Sequence, residues 1–182
     1  DEPERLSKTQ FDDYFSPGKT GLRCVVVAPA GAGKTTWTEW LGAQLINAPQ
    51  KAALPINIRL RLTIKNPELP TLTEAVRNVV TSTFHDKFES QHIESWVNDA
   101  KLTLLLDGFD EVPERKRDSV WRWINGLAAA DPDINIVVTS RPLTTNHIQI
   151  LAENGYRHFN LEPFDEDQVE NYIAKYKEHG PS

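Results

Sequence analysis

The stretch APAGAGKTTW, residues 28–37, directly follows the apolar run CVVV at 24–27. A short continuous apolar run fits a strand buried on both faces. What comes next is poor in side chains: Gly31 and Gly33 free the backbone, and Lys34, Thr35 and Thr36 open a helical segment. Such a turn suits a loop whose N–H groups must approach a large anion, with the positive end of the next helix aimed at it. A triphosphate meets that description. The pattern GxxxxGK[ST] is satisfied over 28–35, except that Ala28 stands where the leading glycine belongs. The loop around the phosphates is then Pro29, Ala30, Gly31, Ala32 and Gly33. Lys34 would bridge the β- and γ-phosphates, the Thr35 hydroxyl would ligate magnesium, and Thr36 would reach the α-phosphate. An ordinary glycine-rich turn with a surface lysine is the competing reading; the strand before and the helix after count against it.

Size and charge narrow the rest. The 182 residues can bury one core well, with little room for a second. We divide them into a lead-in segment, 1–16, and a nucleotide-binding domain, 17–182. With 26 acidic against 20 basic residues the net charge is −6, which gives no basic face for a phosphate backbone, so nucleic acid is not an expected partner. No apolar stretch reaches the ~18 residues of a membrane span, and a soluble, cytoplasmic protein without membrane contact is expected. Cys24 is the only cysteine, which excludes an internal disulfide and suits a reducing compartment. The five histidines lack ligand spacing, so no zinc site is expected. The chain opens at Asp1, contains no methionine and shows no signal peptide, as expected of a piece of a longer polypeptide.

Periodicity predicts strands at 22–28, 56–65, 102–107, 134–139 and 157–161. The first, third and fourth are nearly unbroken apolar runs and should be central. Ile56, Ile58, Leu60, Leu62 and Ile64 alternate with polar residues, the pattern of an edge strand with one wet face. The short RHFNL at 157–161 should take the other edge. Thr71 with Glu74 reads as a capping box ahead of Leu72, Ala75, Val76, Val79, Val80 and Phe84. Trp37, Trp40, Leu41, Leu45 and Ile46 form an apolar stripe after the glycine loop, and Val120, Trp121, Ile124, Leu127 and Ala128 another; both read as core packing. Asp165 and Gln168 predict a last helix carrying Val169, Tyr172, Ile173 and Tyr176. Turns fall at Ser16-Pro17-Gly18 and Asp131-Pro132-Asp133. Strands alternating with helices imply a doubly wound parallel α/β sheet with its ligand at the carboxyl ends of the strands.

Two further motifs fall at those ends. In LLLDGFDEV, 104–112, Asp107 closes an apolar strand where it can hold magnesium, Gly108 keeps the adjacent space open, and Phe109 turns inward. Asp110 and Glu111 are candidates to orient or deprotonate an attacking water. Three acids in five residues repel one another unless a cation offsets them. In VVTSRP, 137–142, Arg141 at a strand end can contact the γ-phosphate with fixed fork geometry, and Pro142 restricts it.

Taken together, the motifs resemble the NACHT family of signal-transducing (STAND) P-loop NTPases. DGFDE at 107–111 and TSRP at 139–142 carry the likeness, which runs from about Phe15 to Tyr176 and includes LEPFDEDQVENYI at 161–173. The wording is closer to bacterial than to animal members. The resemblance implies a three-layer P-loop NTPase fold, its five parallel strands ordered 5-1-4-3-2. It implies ATP or ADP with Mg2+ as cofactors and homo-oligomerisation of a full-length protein in innate immune or antiphage defence. Effector and sensor domains would lie in the same polypeptide. Members usually continue into helical and winged-helix domains, and this chain ends at Ser182.

The leading expectation is therefore a slow ATPase switch. A non-hydrolysing interaction module is the alternative, and a small-molecule kinase with Arg115–Arg117 as its lid is a weaker third.

Overall fold

In the computed structural model, residues 4–5, 14, 19–47, 54–64, 68–84, 89–99, 102–142 and 150–161 are described. The strands are β1 (Glu4–Arg5), β2 (Arg23–Val27), β3 (Leu54–Arg59), β4 (Leu102–Asp107), β5 (Asn135–Ser140) and β6 (Arg157–Asn160). The helices are α1 (Lys34–Asn47), α2 (Leu60–Thr63), α3 (Leu72–Phe84), α4 (Ser90–Asp99) and α5 (Glu114–Ala130), with a 3-10 turn at Phe109–Glu111. The expected final helix, the segment from Glu162 onward and the Ser16-Pro17-Gly18 turn lie outside the described residues.

All strand pairs are parallel, in the order β1-β6-β2-β5-β4-β3. The five expected strands thus stand in the expected order, and the two-residue β1 extends the sheet beyond β6. Alternation along each strand sorts side chains onto two faces. Val25, Val27, Leu104, Leu106, Ile136 and Val138 join α3, α4 and α5 in the larger core. Cys24, Val26, Leu105, Val137 and Phe159 pack with Leu41 and Leu45 of α1 in the smaller one. The central strands β4 and β5 are buried throughout, which explains the apolar runs Leu104–Leu106 and Ile136–Val138 at their centres. Burial also pushes the Cys24 thiol well above its ordinary pKa, so it stays protonated and inert.

Segment 56–65 departs from the expected strand. β3 ends at Arg59 and the chain turns into α2, with the Ile64 N–H donating to Leu60 O at 3.1 Å. Leu60 and Ile64 are buried while Leu62 is exposed. Apolar residues two apart are also four apart at every second step, so the spacing that reads as a strand serves one helical turn equally well. The α1 stripe is corrected too: Leu41 and Leu45 are buried, but Trp40 and Ile46 lie exposed. Their place on the inner face is taken by Thr38, whose hydroxyl donates to Thr35 O at 2.8 Å, and by Gly42, where an added Cβ would already lie 3.4 Å from Leu105 Cδ1.

Other local readings hold. The Glu74 carboxylate accepts from the Thr71 N–H at 2.8 Å while the Glu74 N–H donates back to Thr71 Oγ1 at 3.3 Å, a reciprocal capping box. The Asp131-Pro132-Asp133 turn closes through the Ile134 N–H to Asp131 O at 3.2 Å. Tyr14, from the lead-in segment, is buried edge-on to Phe159 at 5.2 Å and donates its hydroxyl to Arg23 O at 2.8 Å.

Candidate nucleotide site

Parallel register brings the carboxyl ends of β2, β5 and β4 side by side. Val27 lies beside Ser140, and Leu106 beside Val138. Pairing continues past β2, with the Ala28 N–H donating to Ser140 O at 3.0 Å and the Leu161 N–H to Val27 O at 2.8 Å. The chain leaves the sheet there. Pro29, Ala30, Gly31 and Gly33 are exposed and Ala32 partly so. Gly31 and Gly33 have φ of 77° and 82°, the left-handed backbone that an anion-binding concavity requires. The helix α1 then starts at Lys34, and its first N–H groups, which have no partner within the helix, face the loop.

Lys34 folds back over this loop, its Nζ donating to Ala28 O at 3.2 Å and Pro29 O at 3.4 Å. Thr35, one residue on, donates its hydroxyl to Asp107 Oδ2 at 2.7 Å. Thr36 is exposed beside it. Asp107 shares its strand face with Leu105, and therefore points to the α1 side. Its other oxygen, Oδ1, accepts from Thr139 Oγ1 at 2.7 Å, and Thr139 in turn accepts from the Gly108 N–H at 3.0 Å.

The three acids have different partners. Asp110 pairs with Arg141 at 2.8 Å, and Glu111 with Arg61 at 3.5 Å. Asp107, only 8% exposed, has no ion pair among the described residues; its partners are hydroxyls. Repulsion within DGFDE is therefore relieved at Asp110 and Glu111 by the chain's own arginines, and the charge still lacking a counter-ion is that of Asp107. A buried carboxylate beside a threonine hydroxyl is a hard oxygen-donor set that suits Mg2+. Thr35 and Asp107 would hold the ion; bound phosphate oxygens and water would complete its shell. Among the described residues no three His, Cys, Asp or Glu form a metal cluster.

Several sequence readings change here. Gly108 has a backbone reason of its own: φ is 83°, and a Cβ there would meet the Glu111 side chain at 3.2 Å. Phe109 does pack inward, edge-on to Trp121 at 5.7 Å. Arg117, read as part of a lid, instead donates to Val112 O at 3.1 Å and Asp110 O at 3.3 Å, bracing the 3-10 turn. Thr139 and Arg61 escaped the sequence reading. Thr139 had a signal, since a polar residue inside a buried apolar strand needs a partner. Arg61 had none, because its alternating context placed it on a strand.

A glycine loop between strand and helix, a lysine and threonine opening that helix, and an aspartate closing the strand two places along define a P-loop NTPase. A family model for the NACHT domain matches residues 22–180, and the chain belongs to that family. No curated protein matches the chain. Among solved structures, Cdc6p from Pyrobaculum aerophilum is similar with a TM-score of 0.56 at 15% identity, over 97% of this chain and 51% of that one. PCH-2 from C. elegans follows with a TM-score of 0.52 at 12% identity, over 92% and 42%. The chain thus spans about half the length of the first and less of the second, and at these identities the likeness is one of fold. Among the described residues no helix is long and apolar enough to cross a membrane.

Proposed function

We propose that this is the nucleotide-binding switch of a larger signal-transducing NACHT protein in innate immune or antiphage defence, with the domain proper at 17–182. ATP and Mg2+ bind at the carboxyl ends of β2, β4 and β5, slow hydrolysis to ADP resets the state, and nucleotide gates homo-oligomerisation of the full-length chain. The observation that carries this reading is Asp107: a buried carboxylate with no ion pair among the described residues, hydrogen-bonded to the Thr35 hydroxyl in the first turn of α1. Lys34 sits on the loop from which it would swing to the β- and γ-phosphates. Bound Mg2+ supplies charge neutralisation on the phosphates. Around it the loop binds the phosphates, Thr35 and Asp107 orient the ion, Asp110 and Glu111 offer carboxylates near the attacking water, and Arg141 faces the γ-phosphate.

Calorimetry with MgATP tests the site. Lys34→Ala should lose measurable binding while the wild-type chain binds; equal affinity in the two removes Lys34 and the loop from the account.

One observation favours the non-hydrolysing reading. Both members of the acidic pair are tied to arginines, which slows any proton transfer through them. Phosphate release by the isolated chain decides between the two. The kinase reading loses support, because Arg117 is committed to carbonyl oxygens.

A further inference from the structure

We propose that Asp110 is a positioning residue that anchors Arg141, and that it does not take the proton from water. This rests on the nucleotide-site reading above. Both Asp110 oxygens are engaged by one residue: Oδ1 accepts from the Arg141 backbone N–H at 3.1 Å, and Oδ2 pairs with Arg141 Nε at 2.8 Å. The Asp110 side chain is 13% exposed against 61% for Arg141, so the carboxylate is the seated partner and the guanidinium the open one.

Asp110 is itself held firmly. It lies in the 3-10 turn, whose Phe109 ring packs against Trp121, and Arg117 donates to the Asp110 carbonyl and to that of Val112 just after the turn. On the other side, Arg141 leaves the buried strand β5 and is followed by Pro142, which narrows its backbone. The pair therefore joins two rigid elements that meet only through the fold. An arginine engaged through Nε still has its terminal amino groups to offer a phosphate oxygen, so the anchor sets where the fork points without consuming it.

A general base needs a lone pair directed at water. Each Asp110 oxygen already has a partner in Arg141, and the side chain is only 13% exposed, so little of the carboxylate is left for water to reach. Glu111 is 46% exposed and has a longer pair, 3.5 Å, with an Arg61 that is itself 57% exposed, so it is the acid of the motif that water can reach. Discrimination of ATP from ADP should accordingly depend on Asp110 through Arg141, although Asp110 touches neither.

The test is calorimetric affinity of the 182-residue chain for Mg·ATPγS and Mg·ADP, in wild type, Asp110→Asn, Arg141→Ala and the double variant. Each single change should weaken ATPγS about tenfold, the equivalent of one charge-assisted hydrogen bond, with ADP affinity kept within about twofold. The double variant should be no worse than Arg141→Ala. Unchanged ATPγS affinity in Asp110→Asn alongside a loss in Arg141→Ala overturns the anchor, as do losses that multiply in the double variant. Equal loss of both nucleotides also overturns it, since that marks a general structural defect. If Asp110→Asn does not fold, Arg141→Lys, which keeps charge but loses the Nε geometry, carries the same expectation and is overturned by wild-type ATPγS affinity. Wild-type chain that binds neither nucleotide overturns the site reading and the anchor together, a result distinct from selectivity that survives in the variants.

Discussion

Thr139 holds Asp107 in place from the neighbouring strand, donating its hydroxyl to Asp107 Oδ1 at 2.7 Å and accepting the Gly108 N–H at 3.0 Å. One hydroxyl thus fixes the carboxylate and the turn that follows it, and leaves Oδ2 for Thr35. Valine has the same shape without the hydroxyl and would strand both groups in a buried place. Thr139→Val should therefore destabilise the domain by about 1–3 kcal/mol, the usual cost of unpaired buried polar groups. Urea unfolding measures it, with Thr139→Ser as the control that keeps the bonds. Equal midpoints for valine and serine variants would show that the hydroxyl is not needed.

Two left-handed glycines should respond differently to alanine. Gly108 has φ 83°, and an added Cβ would meet the Glu111 carboxyl group at 3.2 Å, a side chain that can move aside. Gly21 has φ 69°, and its Cβ would lie 2.8 Å from Pro132 O, which is backbone fixed in the turn before β5. The left-handed conformation alone costs an alanine about 1–2 kcal/mol. We expect about that loss for Gly108→Ala and a clearly larger one for Gly21→Ala. Unfolding midpoints in the reverse order would contradict the contact argument.

Stability should fall on mild acidification through His158. Burial holds its imidazole below the ordinary pKa of 6.5, and Nε2 is buried without a hydrogen-bond partner among the described residues. Below 6.5 the unfolded chain binds a proton that the folded one resists, so the unfolded state gains. The contribution is full above the unfolded pKa and is lost as pH falls from there through the folded value. Melting temperature should drop as pH falls below the ordinary histidine value of 6.5 in the wild type, and less steeply in His158→Gln. Glu74, held below its ordinary 4.5 by the Thr71 N–H and hydroxyl, acts in the same direction but at lower pH, so the windows separate. Identical slopes for wild type and His158→Gln would remove His158 from the effect.

Much of this molecule is legible without coordinates. Runs such as CVVV and LTLLLD report burial on both faces, Gly31 and Gly33 report backbone that other residues resist, and Thr71 with Glu74 reports a helix start. Each is a local property, carried by a few consecutive residues and their intrinsic preferences. The errors arose where local pattern was ambiguous, as at Leu60–Ile64, or where a helix turned an apolar residue outward, as at Trp40. What only the tertiary structure decided is who meets whom across the sheet: Thr139 with Asp107, Arg141 with Asp110, Arg61 with Glu111. Those partners lie 31 to 50 positions apart and are joined by strand register and helix packing, so their own neighbours in the chain can at most show that a partner is needed, as at Thr139, and never which one.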